Sequence, residues 1–436
     1  MTTRLDMSTA TGEPPEELPA DDAACLTIAE PTSTPLRLPF ALRALHHRNY
    51  RLFFCGQLIS VIGTWMQVVG QSWLVYRLTG SAVMLGLVRF ASLIPVLLLS
   101  PVGGSFADRH NRHRIVIVTQ VAAMVLAFIL AGLTFTGTVL VWHVFVLAAV
   151  LGVVNSFDIP TRQAFVVDLV GRDDLMNAIA LNSSTINAAR IVGPAVAGLL
   201  VATVGEGWCF FLNAISYVAV IAGLLLMRIT VQVHVTVPGS ALEGIIEGFR
   251  YVRHTPSVRG LLLLIAVVSL MGVPYAVLMP IFADEVLGAG ARGLGLLMAA
   301  AGCGALAGGV VLASKRDVDG LRRWVPLAAG GFGVGLILFS LSGSLWLSML
   351  LLVPTGFCMM LEMSASNTLI QSIVPDHLRG RVMAVYSMMF LGMAPFGSLL
   401  AGALAHHLGA PVTVLFGGVA CIVAAAIFAY RSAKSL

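Results

Sequence analysis

Twelve long apolar runs constrain the fold of this chain more than any other feature of its sequence. The hydrocarbon core of a bilayer is about 30 Å thick, so a helix needs roughly 20 apolar residues to cross it. Helices and closed barrels satisfy every backbone polar group there, and continuous runs favour helices over alternating barrel strands. The runs are 51–76, 82–104, 115–135, 139–157, 177–204, 208–227, 259–283, 292–313, 325–342, 345–365, 382–405 and 411–430. They predict an all-α polytopic membrane protein.

The composition indicates a chain whose main solvent is lipid. Apolar residues make up 58% of the sequence and charged residues 11%, and the mean hydropathy is +0.92. This balance argues against a soluble globular protein, and we expect no nucleic-acid partner. The six cysteines show no metal-ligand spacing, and no nucleotide-binding motif is present. We therefore expect neither a metal nor a cofactor.

The basic residues predict the orientation in the membrane. An even number of helices places both termini on one side, and Lys and Arg in short loops are retained in the cytoplasm. With cytoplasmic termini, nearly all basic residues, Arg162 among them, fall on the cytoplasmic side, and only Arg77 and Arg292 remain outside. This asymmetry predicts cytoplasmic N- and C-termini.

The chain divides into two halves around a hydrophilic break. Residues 1–36 are acidic and rich in Pro, Thr and Ser, which predicts a disordered cytoplasmic tail. We expect one six-helix half at 37–228, a cytoplasmic linker at 229–258, a second half at 259–430 and a short C-terminus at 431–436. Apolar residues at helical spacing predict that the linker holds an amphipathic helix on the membrane surface. They are Leu242, Ile245, Ile246, Phe249 and Val252.

The two halves show signs of an internal repeat. At an offset of 209 residues Asp108 aligns with Asp317, and at an offset of 204 Asp158 aligns with Glu362 and Gly198 with Gly402. Such matches in order support two pseudo-symmetric six-helix bundles, an architecture that places a substrate between the halves.

The loop between the second and third runs is unusually charged for this chain. Its sequence, GGSFADRHNRHR, holds Gly104, Asp108, Arg109, Arg112 and Arg114. This spacing resembles the signature loop of the major facilitator superfamily. The stretches 49–114, 193–198 and 378–383 are similar to its bacterial efflux branch, which includes enterobactin and macrolide exporters.

The resemblance implies a fold, a location and an activity. It implies the twelve-helix major facilitator fold in a bacterial cytoplasmic membrane, working as a monomer that exports a hydrophobic or siderophore-like small molecule. Without an ATP-binding motif the energy must come from a gradient, and the resemblance implies protons. The carboxylates Asp158, Glu362, Asp284 and Glu285 all fall near predicted helix ends, so the proton-carrying residue stays unassigned.

The resemblance also implies a cytoplasmic gate. Asp108 would face the start of helix eleven near Arg379 and Arg381, and the Arg cluster would reach Asp158. Asp158 and its repeat mate Glu362 would then be the gate carboxylates of the two halves. The alternative is that the arginines only satisfy the positive-inside rule.

Polar side chains within the runs are candidates for a substrate cavity. One face of the first helix carries a stripe of polar side chains that either lines a watery cavity or forms interhelical hydrogen bonds. The stripe consists of Gln57, Ser60, Thr64, Gln67 and Gln71.

Two arginines fall inside apolar runs. Arg190, on one face with Ser183 and Asn187, lies near the middle of helix five, where an unpaired charge costs about 3 kcal/mol. It is the strongest cavity candidate, although a structural role is the alternative. Arg89 lies nearer the outer end of helix two, from where its side chain can extend outward.

Small residues in helix five predict close helix packing. Gly193, Pro194 and Gly198 resemble the antiporter signature of exporters in this superfamily, with Ala189 and Ala197 where that signature prefers glycine. Small side chains permit close backbone approach in membranes.

Two other functions remain open. An importer would share the architecture and differ in cavity chemistry and coupling. A membrane-embedded lipid-modifying enzyme is a remote alternative, because the sequence shows no nucleophile and base pair and the adjacent His406 and His407 point in different directions. We therefore predict no catalytic residues.

Overall fold

Twelve helices in the structure are long and apolar enough to cross a membrane, as the apolar runs predict. The computed structural model describes residues 40–171, 173–228, 241–314 and 320–434. The helices of the first half are α1 Arg48–Thr79, α2 Ala82–Arg109, α3 Arg112–Phe135, α4 Val141–Val170, α5 Leu175–Thr203 and α6 Gly207–Leu225. The linker helix is α7 Ala241–His254. The second half has α8 Pro256–Val277, α9 Gly290–Ser314, α10 Leu321–Ser340, α11 Leu345–Ile373, α12 Asp376–Leu408 and α13 Ala410–Lys434.

Helices α4 and α11 extend well beyond their predicted runs. The runs ended at residues 157 and 365, but the helices end at Val170 and Ile373, because polar residues end an apolar run without ending a helix. Gly171 stops α4 with a positive φ of 71°, a conformation that glycine adopts without strain. Asp158 and Glu362 therefore lie about 18 Å and 16 Å before the ends of their helices, and not near helix ends as the apolar runs predict.

Helix α8 is discontinuous. Its α-helical part ends at Val267, and a π-helical segment Val268–Gly272 and a 3-10 segment Val273–Val277 follow. Pro274 lacks a backbone N–H and disrupts the regular hydrogen-bond pattern there. Beyond α8, a further π-helical turn, Phe282–Val286, carries two acidic residues. Broken helices of this kind occur where a transporter binds its substrate.

The helices pack as two bundles that meet along two seams. In the first half α2 packs on α4 and α6 packs on both α1 and α3, and in the second half α9 packs on α11 and α10 packs on α13. The seams are formed by α2 with α12 and by α5 with α9. We call the end of the bundle that holds the turns 109–112 and 373–376 the basic face, and the end with the turns 80–81 and 203–207 the distal face.

The linker helix α7 packs against the start of α12. A Cβ atom on Gly248 would lie 2.7 Å from the carbonyl oxygen of Arg381, and Glu247 forms an ion pair with Arg381. Val252 is buried, whereas Ile246 and Phe249 remain exposed. The predicted tail 1–36, most of the segment before α7, and Asp317 lie outside the described residues.

Candidate functional site

The two halves are closed against each other toward the distal face. A Cβ atom on Gly198 would lie 2.8 Å from the Cα of Gly295, and one on Gly86 would lie 2.5 Å from the carbonyl oxygen of Ser398. Real Cβ atoms essentially never come this close, so each seam requires glycine. The close packing expected of Gly198 thus lies between the halves. Gly193, which precedes Pro194 in α5, packs instead on α1 at Trp65.

A tyrosine connects the halves at the distal face. The hydroxyl of Tyr76, near the end of α1, donates to Asp284 Oδ2 at 2.9 Å and lies 3.1 Å from Glu285 Oε1. Both carboxylates lie on the π-helical turn after α8. Tyr76 itself is buried. The sequence analysis did not find this contact, because only the π-helical turn brings both acids to one tyrosine.

At the basic face, and among the described residues, no ion pair joins Asp108 to Arg379 or Arg381. The Asp108 side chain is 63% exposed and pairs with Arg112 of the same half. On the other half Arg379 pairs with Asp376, and Arg381 pairs with Glu247 of the linker helix. The predicted contact between Asp108 and the start of α12 is therefore not the pairing present in this conformation.

The Arg cluster contacts a different carboxylate from the one predicted. Arg112 Nη1 lies 3.1 Å from Asp168 Oδ1, near the end of α4, whereas Arg109 and Arg114 are exposed. Asp158 lies too far up α4 for this cluster because α4 is longer than predicted. The antiparallel packing of α3 on α4 places the start of α3 beside the end of α4. A carboxylate near the end of α4 is therefore the expected partner of Arg112, and Asp168 lies there.

Two details of the signature loop follow only from the structure. A Cβ atom on Gly103 would lie 2.1 Å from the carbonyl oxygen of Ser156, whereas one on Gly104 has ordinary room. Gly103, and not Gly104, therefore carries the close packing of α2 on α4. Asn111 has a φ of −67° and caps α3 by accepting a hydrogen bond from Arg114 N at 3.1 Å, so the turn does not use the left-handed conformation.

Two glutamines of the polar stripe on α1 serve helix packing. Gln57 accepts a hydrogen bond from Arg162 Nη1 at 2.9 Å, and Gln67 accepts one from Asn213 of α6 at 2.6 Å. Both glutamines are buried. Thr64 is exposed and Gln71 is half-buried. Interhelical hydrogen bonding is therefore the role of Gln57 and Gln67. The exposed Thr64 stays a candidate for the cavity.

Asp158 belongs to a buried polar network within the first half. It accepts hydrogen bonds from Thr119 at 2.8 Å and from Gln120 at 2.9 Å. Arg162, one turn further along α4, approaches its second oxygen at 3.4 Å. Arg162 thus pairs with the buried Asp158 through a side chain that is 32% exposed.

Glu362 occupies the equivalent place in the second half with a different environment. It is fully buried, and Ser366 donates a hydrogen bond to its Oε1 atom at 3.3 Å. Its Oε2 atom has no hydrogen-bond partner among the described residues. At the same 204-residue offset, Ser366 stands where the first half has Arg162. The two repeat carboxylates therefore differ in charge compensation.

Arg190 lies where the seam between α5 and α9 ends. Its guanidinium carbon lies 5.3 Å from the centre of the Trp65 ring. Its Nε atom is buried without a hydrogen-bond partner among the described residues. A Cβ atom on Gly302 would lie 2.9 Å from the Arg190 carbonyl oxygen. Toward the basic face on the same side of α5, Asn187 is half-buried and Ser183 is exposed.

Arg89 borders the other seam. It lies one turn from Gly86 toward the basic face, and the adjacent Phe90 packs edge-on against Phe396 of α12 at 6.0 Å. The Arg89 side chain is exposed. Its outward extension stays a prediction.

Comparison with known sequences gives a consistent family. The family model of transmembrane secretion effectors matches residues 40–434. The staphyloferrin A transporter of Staphylococcus aureus is 27% identical over 390 residues, which cover 88% of this chain and 96% of that protein. The multidrug efflux pump Tap of Mycolicibacterium fortuitum is 26% identical over 374 residues, covering 84% of this chain and 91% of the pump.

Solved structures show the same fold. A bacterial homologue of the iron transporter ferroportin, solved in an inward-facing state, superposes with a TM-score of 0.68 at 17% identity, covering 88% of this chain and 98% of that one. An inward-facing bacterial homologue of the lysosomal transporter Spinster also has a TM-score of 0.68, at 16% identity, with 89% and 96% covered. With a family model that matches almost the whole described chain, this protein belongs to the transmembrane secretion effectors of the major facilitator superfamily and is a multi-pass membrane transporter.

Proposed function

We propose that this transporter exports a siderophore-like or hydrophobic small molecule from the cytoplasm by alternating access. The observation that carries the proposal is the asymmetry of closure. Glycine seams and Tyr76 hold the halves together at the distal face, while Asp108 and Arg379 stay on separate halves with other partners at the basic face. The positive-inside rule assigns the basic face to the cytoplasm, so this conformation is open to the cytoplasm.

The named relatives support the substrate range. One is a staphyloferrin A transporter and another a multidrug efflux pump, and both match most of this chain. A single chain contains both halves and the space between them, which supports a monomer as the working unit. An importer would have the same architecture, so direction is decided by the experiment below.

We propose a proton gradient as the energy source, with Glu362 as the coupling group. Burial of an uncompensated charge is costly, and Glu362, unlike Asp158, has no cationic partner among the described residues. A carboxyl group that exchanges its proton as the halves rearrange would link proton flow to the conformational cycle.

The test of direction uses the native host with and without this protein. Mass spectrometry of medium and cell extract identifies any compound whose distribution changes. A compound that leaves the medium and accumulates inside the cells when the protein is absent establishes export. A compound that stays in the medium, unconsumed, establishes import and contradicts the proposal.

The test of coupling uses inverted membrane vesicles and the compound so identified. Glu362→Gln should abolish uptake driven by a pH gradient and retain exchange of substrate at equal pH on both sides. Asp173→Asn, at an exposed carboxylate between α4 and α5, is the matched control and should behave as the unmodified protein. Full gradient-driven uptake by Glu362→Gln would rule out this coupling group.

A further inference from the structure

Two arginines beside the seams between the halves have no anionic partner among the described residues. Arg190 and Arg89 form neither a hydrogen bond nor an ion pair through their side chains within the described part of the chain, and Arg190 Nε is buried in that state. By contrast, Arg162 is paired with Asp158. A cation in the membrane interior is retained where it binds something, and an unpaired one marks a functional site.

The two arginines lie beside different seams and at different depths. Arg190 lies about 20 Å from the distal end of α5, and Arg89 lies about 10 Å from the distal end of α2. Arg190 adjoins the contact with Gly302, and Arg89 lies one turn from Gly86. Arg190, near the middle of its helix, is therefore the candidate for a site between the halves.

The contact with Trp65 leaves Arg190 free to bind an oxyanion. A guanidinium stacked on an aromatic ring uses its flat face and keeps the N–H donors at its edge available. Those donors match the two oxygens of a carboxylate. The ring of Trp65 supplies apolar surface beside the cation.

We propose that Arg190 forms an anion-binding site that holds a carboxylate of the transported molecule between the two halves. The inference rests on the proposed function, because it assigns the substrate class of the same cavity. The site selects molecules that combine a carboxylate with an apolar or aromatic body. Neutral and cationic molecules of the same shape leave Arg190 unpaired and bind more weakly.

The test uses three probes of one shape and different charge. 2-Naphthoate, 2-naphthamide and 2-naphthylmethylammonium are titrated calorimetrically into the purified full-length protein in lipid nanodiscs, with empty nanodiscs as the blank. We expect the carboxylate to bind about tenfold more tightly than the amide, and the ammonium compound to bind most weakly. Equal affinity for carboxylate and amide in the unmodified protein would overturn the proposal.

Variants separate this site from general charge effects. Arg190→Gln should lower the affinity for 2-naphthoate to that for the amide, and Arg190→Lys should retain part of the preference because it keeps the charge but not the planar donors. Arg259→Gln, at an exposed position near the start of α8, should retain the full preference. A preference that persists in Arg190→Gln contradicts the assignment.

Two further comparisons keep the outcome decisive. If Arg190→Gln does not fold, the thermal midpoint of the unmodified protein should rise more with 2-naphthoate than with the amide, and an equal rise would contradict the site. A charge preference without export of any compound would overturn the proposed function and leave the anion site standing. Export without a charge preference would overturn the anion site and leave the proposed function standing.

Discussion

The Nε atom of Arg162 lies 3.4 Å from Asp158 Oδ2, one turn away on α4, and the equivalent turn of α11 places Ser366 beside Glu362. The two halves share a fold but not this charge pair. In the first half the buried carboxylate has a cation and two further donors, so it is suited to a structural role. The second half leaves its carboxylate with one weak donor, which is why we assign coupling to Glu362.

Removing Arg162 should destabilise the first half. Arg162→Gln leaves Asp158 buried at 5% exposure without its cation, and loss of one partner of a buried pair costs several kcal/mol. Arg162 is 32% exposed, so we expect roughly 2 kcal/mol because water screens part of the charge. The measurement is the thermal unfolding midpoint in nanodiscs. The double variant Asp158→Asn with Arg162→Gln should recover most of the loss; no recovery would contradict the pairing.

The Tyr76 hydroxyl should favour closure of the distal face. Hydrogen bonds to charged groups contribute about 1.5–3 kcal/mol, so Tyr76→Phe should shift the ratio of closed to open protein by about tenfold or more. Spin labels at Leu140 and Leu341, on exposed positions of opposite halves, report the distance across this face.

The control for this variant is Tyr50→Phe. Tyr50 donates a hydrogen bond to the Ala178 carbonyl oxygen within the first half at 3.0 Å, so its removal should leave the distance between labels unchanged. An unchanged distance distribution in Tyr76→Phe as well would show that the contact with Asp284 and Glu285 does not hold the halves together.

Adjacent glycines in the signature loop should differ in tolerance. Gly103→Ala places a Cβ atom 2.1 Å from the Ser156 carbonyl oxygen, whereas in Gly104→Ala the nearest atom is 3.9 Å away. The first variant must separate α2 from α4 and should lower the unfolding midpoint by several degrees. The second is the matched control with the same change in composition, and equal midpoints for the two would contradict the packing described.

Asp108→Asn should impair transport without reducing stability. The side chain is 63% exposed and pairs with Arg112, and such surface pairs contribute about 0–1 kcal/mol. The latch that the family resemblance implies would form only after the basic face closes. We therefore expect normal membrane insertion and an unfolding midpoint near that of the unmodified protein, with transport reduced at least tenfold. Normal transport by the inserted variant would eliminate the latch.

The sequence by itself determined the membrane fold and its repeat. The apolar runs predicted the twelve helices, because the thickness of the bilayer imposes a minimum helix length. Residue matches between the halves predicted the repeat, and the spacing around Asp108 resembled the signature loop of the family. The sequence also placed Arg190 near the middle of its helix, since position along one helix follows from counting residues.

Only the tertiary structure decided which groups meet. Hydropathy does not fix the rotation or the exact length of a helix. Rotation decides that Gln67 binds Asn213 and that Gly103, rather than Gly104, packs closely on α4. Helix length decides that Arg112 reaches Asp168 and not Asp158. Hydropathy measures the free energy of transferring a side chain to lipid. A helix continues through polar residues where neighbouring helices supply hydrogen-bond partners for them. The pairing of Arg162 and the free side chains of Arg89 and Arg190 arise from that packing.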